Sequence, residues 1–123
     1  MLNKSFSINI SDQIKPYNKA ISVDSDKSIS VRSFLIGAIS HNISEVKNIL
    51  ESEDIFSCIS CLRKLGVKIQ RVKTGHYLIY GKGLGSFYVK KNVVLNCGNS
   101  GTTARLLIGL LSNLKKQSHL FWF

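Results

Sequence analysis

Two short clusters carry the residue types that hold anions. In the first, Lys27, Ser28 and Arg32 open the segment "KSISVRSFLIGAIS". Ser28 and Arg32 are four residues apart, so a helix sets them on one face, with Lys27 beside them at its start. A point charge, a hydroxyl and a guanidinium fork at a helix N-terminus suit a phosphate or a carboxylate. The same residues also fit a plainer role: a solvated lysine, a capping serine and an arginine bridging to an acid such as Asp24.

The second cluster lies in "LNCGNSGTTARLLIGLL", where Asn99, Ser100, Gly101 and Thr102 lead into Arg105. Gly98 and Gly101 would let a ligand approach the backbone closely. The amide and hydroxyls could orient an oxyanion, or serve only as an N-cap with turn glycines. A nucleotide phosphate loop is excluded, because the Gly-Lys-Ser/Thr ending is missing. "GKGLG" (Gly81 to Gly85) has no clear helix after it and reads as a loop between strands. Cys58 and Cys61 have CxxC spacing but lie inside a helical pattern with no second ligand pair, so metal or redox work is not expected. Cys97 is expected to pack behind the glycines. His41, His76 and His119 have no partner that spacing identifies, and His41 reads as a surface cap after a helix end.

The chain of 123 residues carries a net charge of +10, unevenly spread. All seven acidic residues lie at or before Asp54, and eleven Lys and Arg follow from Ile55 onward. That balance suits a nucleic-acid face, a site for phosphates and carboxylates, or a solvated surface. The basic residues are scattered, with only pairs such as Lys90-Lys91 and Lys115-Lys116, and the aromatics show no repeated stacking pattern. A hydrophobic content of 44% and a single proline speak for a folded domain. Three cysteines give no disulfide framework, the first ten residues do not read as a signal peptide, and no stretch reads as a membrane span. A reducing cytoplasm is the expected home.

The elements that must position the clusters follow from pattern and punctuation. Strands are expected at Ser5 to Ile10, Lys19 to Asp24 and Ser44 to Ile49, with Pro16 in the first link. Asp26 precedes a helix from Lys27 or Ser28 to Ser40. Ser52 caps a second helix, with Glu53 and Asp54 in its first turn, an apolar stripe of Ile55, Ile59, Leu62 and Leu65, and Gly66 as its stop. "VKIQRV" and "HYLIY" form a hairpin around Thr74-Gly75, and "VVLNC" leads into a last helix, Thr102 to Leu114, apolar on nearly every side. Such alternation points to the α/β class. "RSFLIGAIS" at Arg32 is echoed by "RLLIGLLS" at Arg105 with one residue deleted, which suggests one full unit and the start of the next.

Taken together, "DKSISVRSFLIGAIS" and "LNCGNSGTTARLLIGLL" resemble the two N-terminal signatures of enolpyruvylshikimate-phosphate synthase, the 3-phosphoshikimate 1-carboxyvinyltransferase family. "SEDIFSCISCLRKLGVKI" between them is similar to that family's linking helix and strand, so the resemblance runs from about Ser22 to Asn113. The sister family acting on UDP-N-acetylglucosamine usually has Lys-Asn where Lys27-Ser28 stand, and lacks the GNSGTT run.

The resemblance implies a fold of βαβαββ repeat units and a reaction of the shikimate pathway toward chorismate and the aromatic amino acids. The enolpyruvyl group of phosphoenolpyruvate passes to a hydroxyl of shikimate 3-phosphate and phosphate leaves, by addition and elimination, with no metal or organic cofactor. It implies that Lys27 touches both substrates and that Ser28 and Arg32 hold shikimate 3-phosphate. Gly101 would lie against phosphoenolpyruvate, where a side chain would crowd it, with Asn99 and Thr102 shaping the loop and Arg105 structural. It implies a monomer with small-molecule partners, no membrane and no specific nucleic acid; the alternative is a small basic anion- or RNA-binding module.

Departures from the family are also visible. Its members are more than three times as long, and "KKQSHLFWF" does not match what should follow. Residues 1–123 are therefore expected to be an incomplete N-terminal part, inactive alone, with catalytic groups elsewhere and residues 115–123 an aberrant tail without a partner.

Overall fold

The computed structural model describes residues 18, 25–90, 92–112, 114 and 119–122. The strands expected at Ser5 to Ile10 and Lys19 to Asp24 lie outside the described residues, as does Asp24 as a partner for Arg32. The described order is α1 (Lys27–Ile39), β1 (Ile43–Val46), α2 (Glu53–Lys64), β2 (Lys68–Lys73), β3 (His76–Tyr80), β4 (Val93–Asn96), α3 (Gly101–Leu111) and β5 (His119–Trp122). This is the α/β alternation read from the sequence, with the hairpin inside it.

Local chemistry accounts for the boundaries. The Asp26 carboxylate accepts from the Ile29 amide at 2.8 Å and starts α1. Helix α2 carries Glu53 and Asp54 in its first turn and Arg63 and Lys64 in its last, each charge at the dipole end it suits. Ser52 holds the N-cap position but makes no side-chain cap bond, and its hydroxyl is buried without a partner. The expected serine cap is thus replaced by the two acids. Gly66, at φ 87, ends α2 in the left-handed conformation expected of it. Strand β1 is shorter than expected because Asn48, at φ 59, turns the chain out of extended geometry before Ile49.

Strands β1, β3 and β2 form an antiparallel sheet in that order, and the hairpin has an irregularity between Arg71 and Lys73. Its buried face, with Ile69, Tyr77 and Ile79, packs on Val31, Phe34 and Ala38 of α1 and on Ile55, Ile59 and Leu62 of α2. Phe34 meets Tyr77 edge-on at 5.2 Å. Gly37 permits the close approach, since a Cβ there would stand 2.9 Å from Ile79 Cδ1.

Strand β4 lies behind α2 and runs parallel to β5, with Val93 opposite His119 and Asn96 opposite Trp122. The tail therefore has a backbone partner, contrary to expectation. A strand–helix–strand connection through α3 returns the chain alongside β4, which a search for local partners cannot reveal. Helix α3 stops at Leu111 rather than Leu114, with the Ser112 amide closing on Ile108 O at 3.0 Å. It buries Ala104, Leu107 and Leu111 and leaves Leu106 and Ile108 exposed.

Candidate functional site

Three helix beginnings meet at one end of the molecule. Lys27, the first residue of α1, forms an ion pair with Asp54 in the first turn of α2, at 2.9 Å. One turn on, Ser57 and Cys58 of α2 lie against the mouth of α3. A Cβ on Gly98 would stand 3.0 Å from Ser57 Oγ, and the Thr103 side chain bears on the Cys58 thiol, partly offsetting the rise in its pKa from burial. The N-termini of α1, α2 and α3 are thereby gathered together. Each brings free amides and a positive dipole end.

The first cluster is placed as the helix pattern requires. Lys27 is half exposed and Ser28 partly exposed, both at the open start of α1. Asp54 holds the Lys27 ammonium by hydrogen bond and charge and raises its pKa, so it stays cationic. Arg32 is exposed, and its Nη1 donates to Ser28 O at 3.1 Å. This tie leaves the guanidinium most of its five donors.

The second cluster divides into structural and open positions. Ser100 caps α3: its buried hydroxyl accepts from the Thr103 amide at 3.2 Å and donates to Thr103 Oγ1 at 2.7 Å. Gly98, at φ 54, accepts a conformation that suits glycine, and its amide donates to Asn96 Oδ1 at 2.8 Å. Gly98 thus shapes the turn, with Ser57 close against it. Gly101 differs: it is exposed, and an added Cβ would meet only Arg105 Nη2, at 3.8 Å. Asn99 is exposed and Thr102 partly so, on either side of that open position. Arg105 Nε donates to Gly101 O at 3.2 Å, repeating the fold-back of Arg32 four residues along its own helix. Arg32 and Arg105 also line one groove of about 400 Å³ between α1 and α3, whose remaining walls include Leu35, Ile36 and Leu106.

The three cysteines sit behind this mouth as expected for Cys97. All are free and buried, with Cys61 Sγ 3.9 Å from Cys97 Sγ. Burial pushes the Cys58 and Cys61 thiols up to about 12 and raises Cys97 as well. They are packing groups at neutral pH. Among the described residues no group of three or more His, Cys, Asp or Glu could hold a metal ion. No described helix is long and apolar enough to cross a membrane.

Sequence reasoning missed two features. Asp54, read only as a dipole partner, is the counter-ion of Lys27, and the start of α2 is a third member of the site. His76 also has a partner, Glu45 Oε1 at 2.8 Å. Sequence spacing gives no signal for contacts between separate elements.

Known proteins share this fold and much of its sequence. The family model for EPSP synthase (3-phosphoshikimate 1-carboxyvinyltransferase) matches residues 11–121. A 3-phosphoshikimate 1-carboxyvinyltransferase of Syntrophomonas wolfei is 46% identical over 103 residues, covering 84% of this chain and 24% of that protein. The enzyme of the same name from Bacillus cytotoxicus is 47% identical over 100 residues, covering 81% and 23%. The solved EPSP synthase from Acinetobacter baumannii superposes with a TM-score of 0.71 at 37% identity, over 82% of this chain and 23% of that one. The chain spans about a quarter of the length of these relatives.

Proposed function

The chain belongs to the EPSP synthase family, and on that premise we propose that the joined mouths of α1 and α3 bind the two substrates of enolpyruvyl transfer. Shikimate 3-phosphate lies at Lys27, Ser28 and Arg32. Phosphoenolpyruvate lies against Gly101, between Asn99 and Thr102, with Lys27 shared by both. The reaction joins the enolpyruvyl group to a substrate hydroxyl and releases phosphate, by addition and then elimination.

The carrying observation is the gathering of three helix N-termini around an exposed lysine that pairs with Asp54. Both substrates are polyanions, and each needs charge compensation once it leaves water. Free amides, dipole ends, Lys27 and Arg32 supply it. Lys27 can exchange Asp54 for a substrate oxygen and stay cationic, because either anionic partner favours the ammonium. The open space at Gly101 admits a planar group against the backbone. These residues bind and orient.

The same reading takes the protein as a monomer acting on small molecules, with no specific nucleic-acid partner, in a reducing cytoplasm that its free thiols suit. Lys27→Ala and Arg32→Ala test the assignment. Each removes a charge-assisted contact and should weaken shikimate 3-phosphate binding by about tenfold or more in calorimetry. Unchanged affinity in both variants would reject the site.

A further inference from the structure

We infer that the groove at the C-terminal end of α2 is a second anion site, suited to a nucleoside polyphosphate. It is lined by Arg63 and Lys64 from the last turn of α2, by Tyr88 and Lys90 from the loop between β3 and β4, and by Val93 and Val94 of β4. Its volume of about 620 Å³ is that of a small-molecule site. The groove is remote from the helix mouths. Ten residues of α2 separate Asp54 from Lys64, a rise of roughly 15 Å.

Charge here is one-sided. Every lining residue comes after Asp54, the last acid in the chain, so no carboxylate lines the groove. Lys82 adds a further ammonium close by, its Nζ 3.5 Å from where a Cβ on Gly66 would lie.

Two of the cations are held in place, which distinguishes them from solvated surface lysines. Lys64 Nζ donates to Val94 O at 2.9 Å, and Arg63 Nη2 donates to Ile69 O at 2.8 Å. Each tie uses one donor. The ammonium keeps two and the guanidinium four for a ligand. Head groups fixed in advance lose less entropy on binding than free ones. The negative end of α2 opposes an anion only weakly, because Cys61 O, Leu62 O and Arg63 O already accept from the amides of Leu65, Val67 and Gly66.

The apolar part of the groove sets the ligand class. Tyr88 is 62% exposed and Val94 44% exposed, beside the cations. The Tyr88 amide donates to Leu65 O at 3.0 Å, which anchors the ring's backbone to the end of α2. An inorganic anion makes no use of such a ring. A phosphate chain joined to a flat base uses both, with phosphates on Lys64, Lys90 and Arg63 and the base stacked on Tyr88.

The test is calorimetry on the full 123-residue chain at low salt, with ATP, tripolyphosphate and adenosine as probes. ATP should bind more tightly than tripolyphosphate, and adenosine weakly. Lys90→Ala should weaken ATP and tripolyphosphate alike by about tenfold. Tyr88→Ala should weaken ATP alone by about tenfold, with Tyr88→Phe retaining the parent affinity. Lys27→Ala should leave ATP binding intact. The inference is overturned if ATP shows no binding at about 1 mM. It is equally overturned if ATP and tripolyphosphate bind the same, if Tyr88→Ala has no effect, or if shikimate 3-phosphate displaces ATP.

Discussion

Replacing Gly101 by alanine separates a glycine kept for the ligand from one kept for the chain. Gly101 is the first residue of α3, and the new methyl would meet nothing nearer than Arg105 Nη2 at 3.8 Å, an ordinary contact. The folded protein should accept it. Alanine is better than glycine in a helix by roughly 0.5–1 kcal/mol, less at an end position. A gain of ~0.5 kcal/mol corresponds to a rise of about 2 °C in Tm. If phosphoenolpyruvate lies against Gly101, the same methyl intrudes on it. Overpacking of that kind costs ~1–3 kcal/mol, or about 5- to 150-fold in affinity. Gly98→Ala is the control. It would force alanine into φ 54 and bring its Cβ to 3.0 Å from Ser57 Oγ, so it should lose ~1–2 kcal/mol of stability. Thermal unfolding by circular dichroism reads the first quantity. Calorimetric titration with phosphoenolpyruvate, in the presence of shikimate 3-phosphate, reads the second. A Gly101→Ala protein with undiminished phosphoenolpyruvate affinity would refute the placement, and one with a lowered Tm would refute the open space.

Two further outcomes follow from the Glu51 network and the buried thiols. Glu51 accepts from Arg71 Nε and Nη2, the Gly75 amide and the Tyr77 hydroxyl, and these hold its pKa down to about 2 from an ordinary 4.5. A depressed carboxylate pKa gives stability that is complete above the unfolded value and lost as pH falls toward the folded one. Urea midpoints should therefore fall between about pH 4.5 and pH 2 in the parent, and Glu51→Gln should be less stable at pH 7 with a flatter profile in that window; parallel profiles would be contrary. The thiols of Cys58 and Cys61, pushed up to about 12, should react with an aromatic disulfide reagent at pH 8 only as fast as the chain unfolds. Prompt labelling of either in the native protein would show that they are not sealed.

What the sequence made legible was local. The α2 stripe of Ile55, Ile59, Leu62 and Leu65 is buried as its period requires, and Gly66 and Gly75 sit at positive φ where stops and turns were expected. Asp26 caps α1 with its own carboxylate. Contacts between elements were not legible. Glu51 looks like a loop acid, yet it ties the segment before α2 to the turn of the hairpin. Lys27 and Asp54 are each ordinary helix-start residues until packing joins them. Gly98 and Gly101 look equivalent in "CGNSG", and only φ and the surrounding space tell the shaped turn from the open position. Strand β5 has no visible partner in the sequence because its parallel partner lies a whole helix away in the chain.

The echo between Arg32 and Arg105 explains why the site stands where it does. In each helix the guanidinium folds back on the carbonyl four residues before it, Ser28 O or Gly101 O, so the likeness extends from sequence to hydrogen bonding. Both arginines then line the groove where α1 and α3 meet. A repeated unit that reuses its packing also reuses its helix direction, and positive dipole ends accumulate on one side. Like ends placed together repel. The chain offsets this in two ways. Asp54 and Glu53 put carboxylates at the start of α2, and Val31, Phe34, Ile55, Cys58, Ala104 and Leu107 bury the helix faces in one core. Burial of that kind is worth ~25 cal/mol per Å² of apolar surface, and it can outweigh modest end-to-end repulsion. In the proposed function, the residual field is the source of affinity. On the proposed reading, an arriving polyanion would relieve the repulsion among three helix starts and take over the Lys27 ammonium from Asp54, so binding strength would be drawn from an arrangement that packing alone has to hold together.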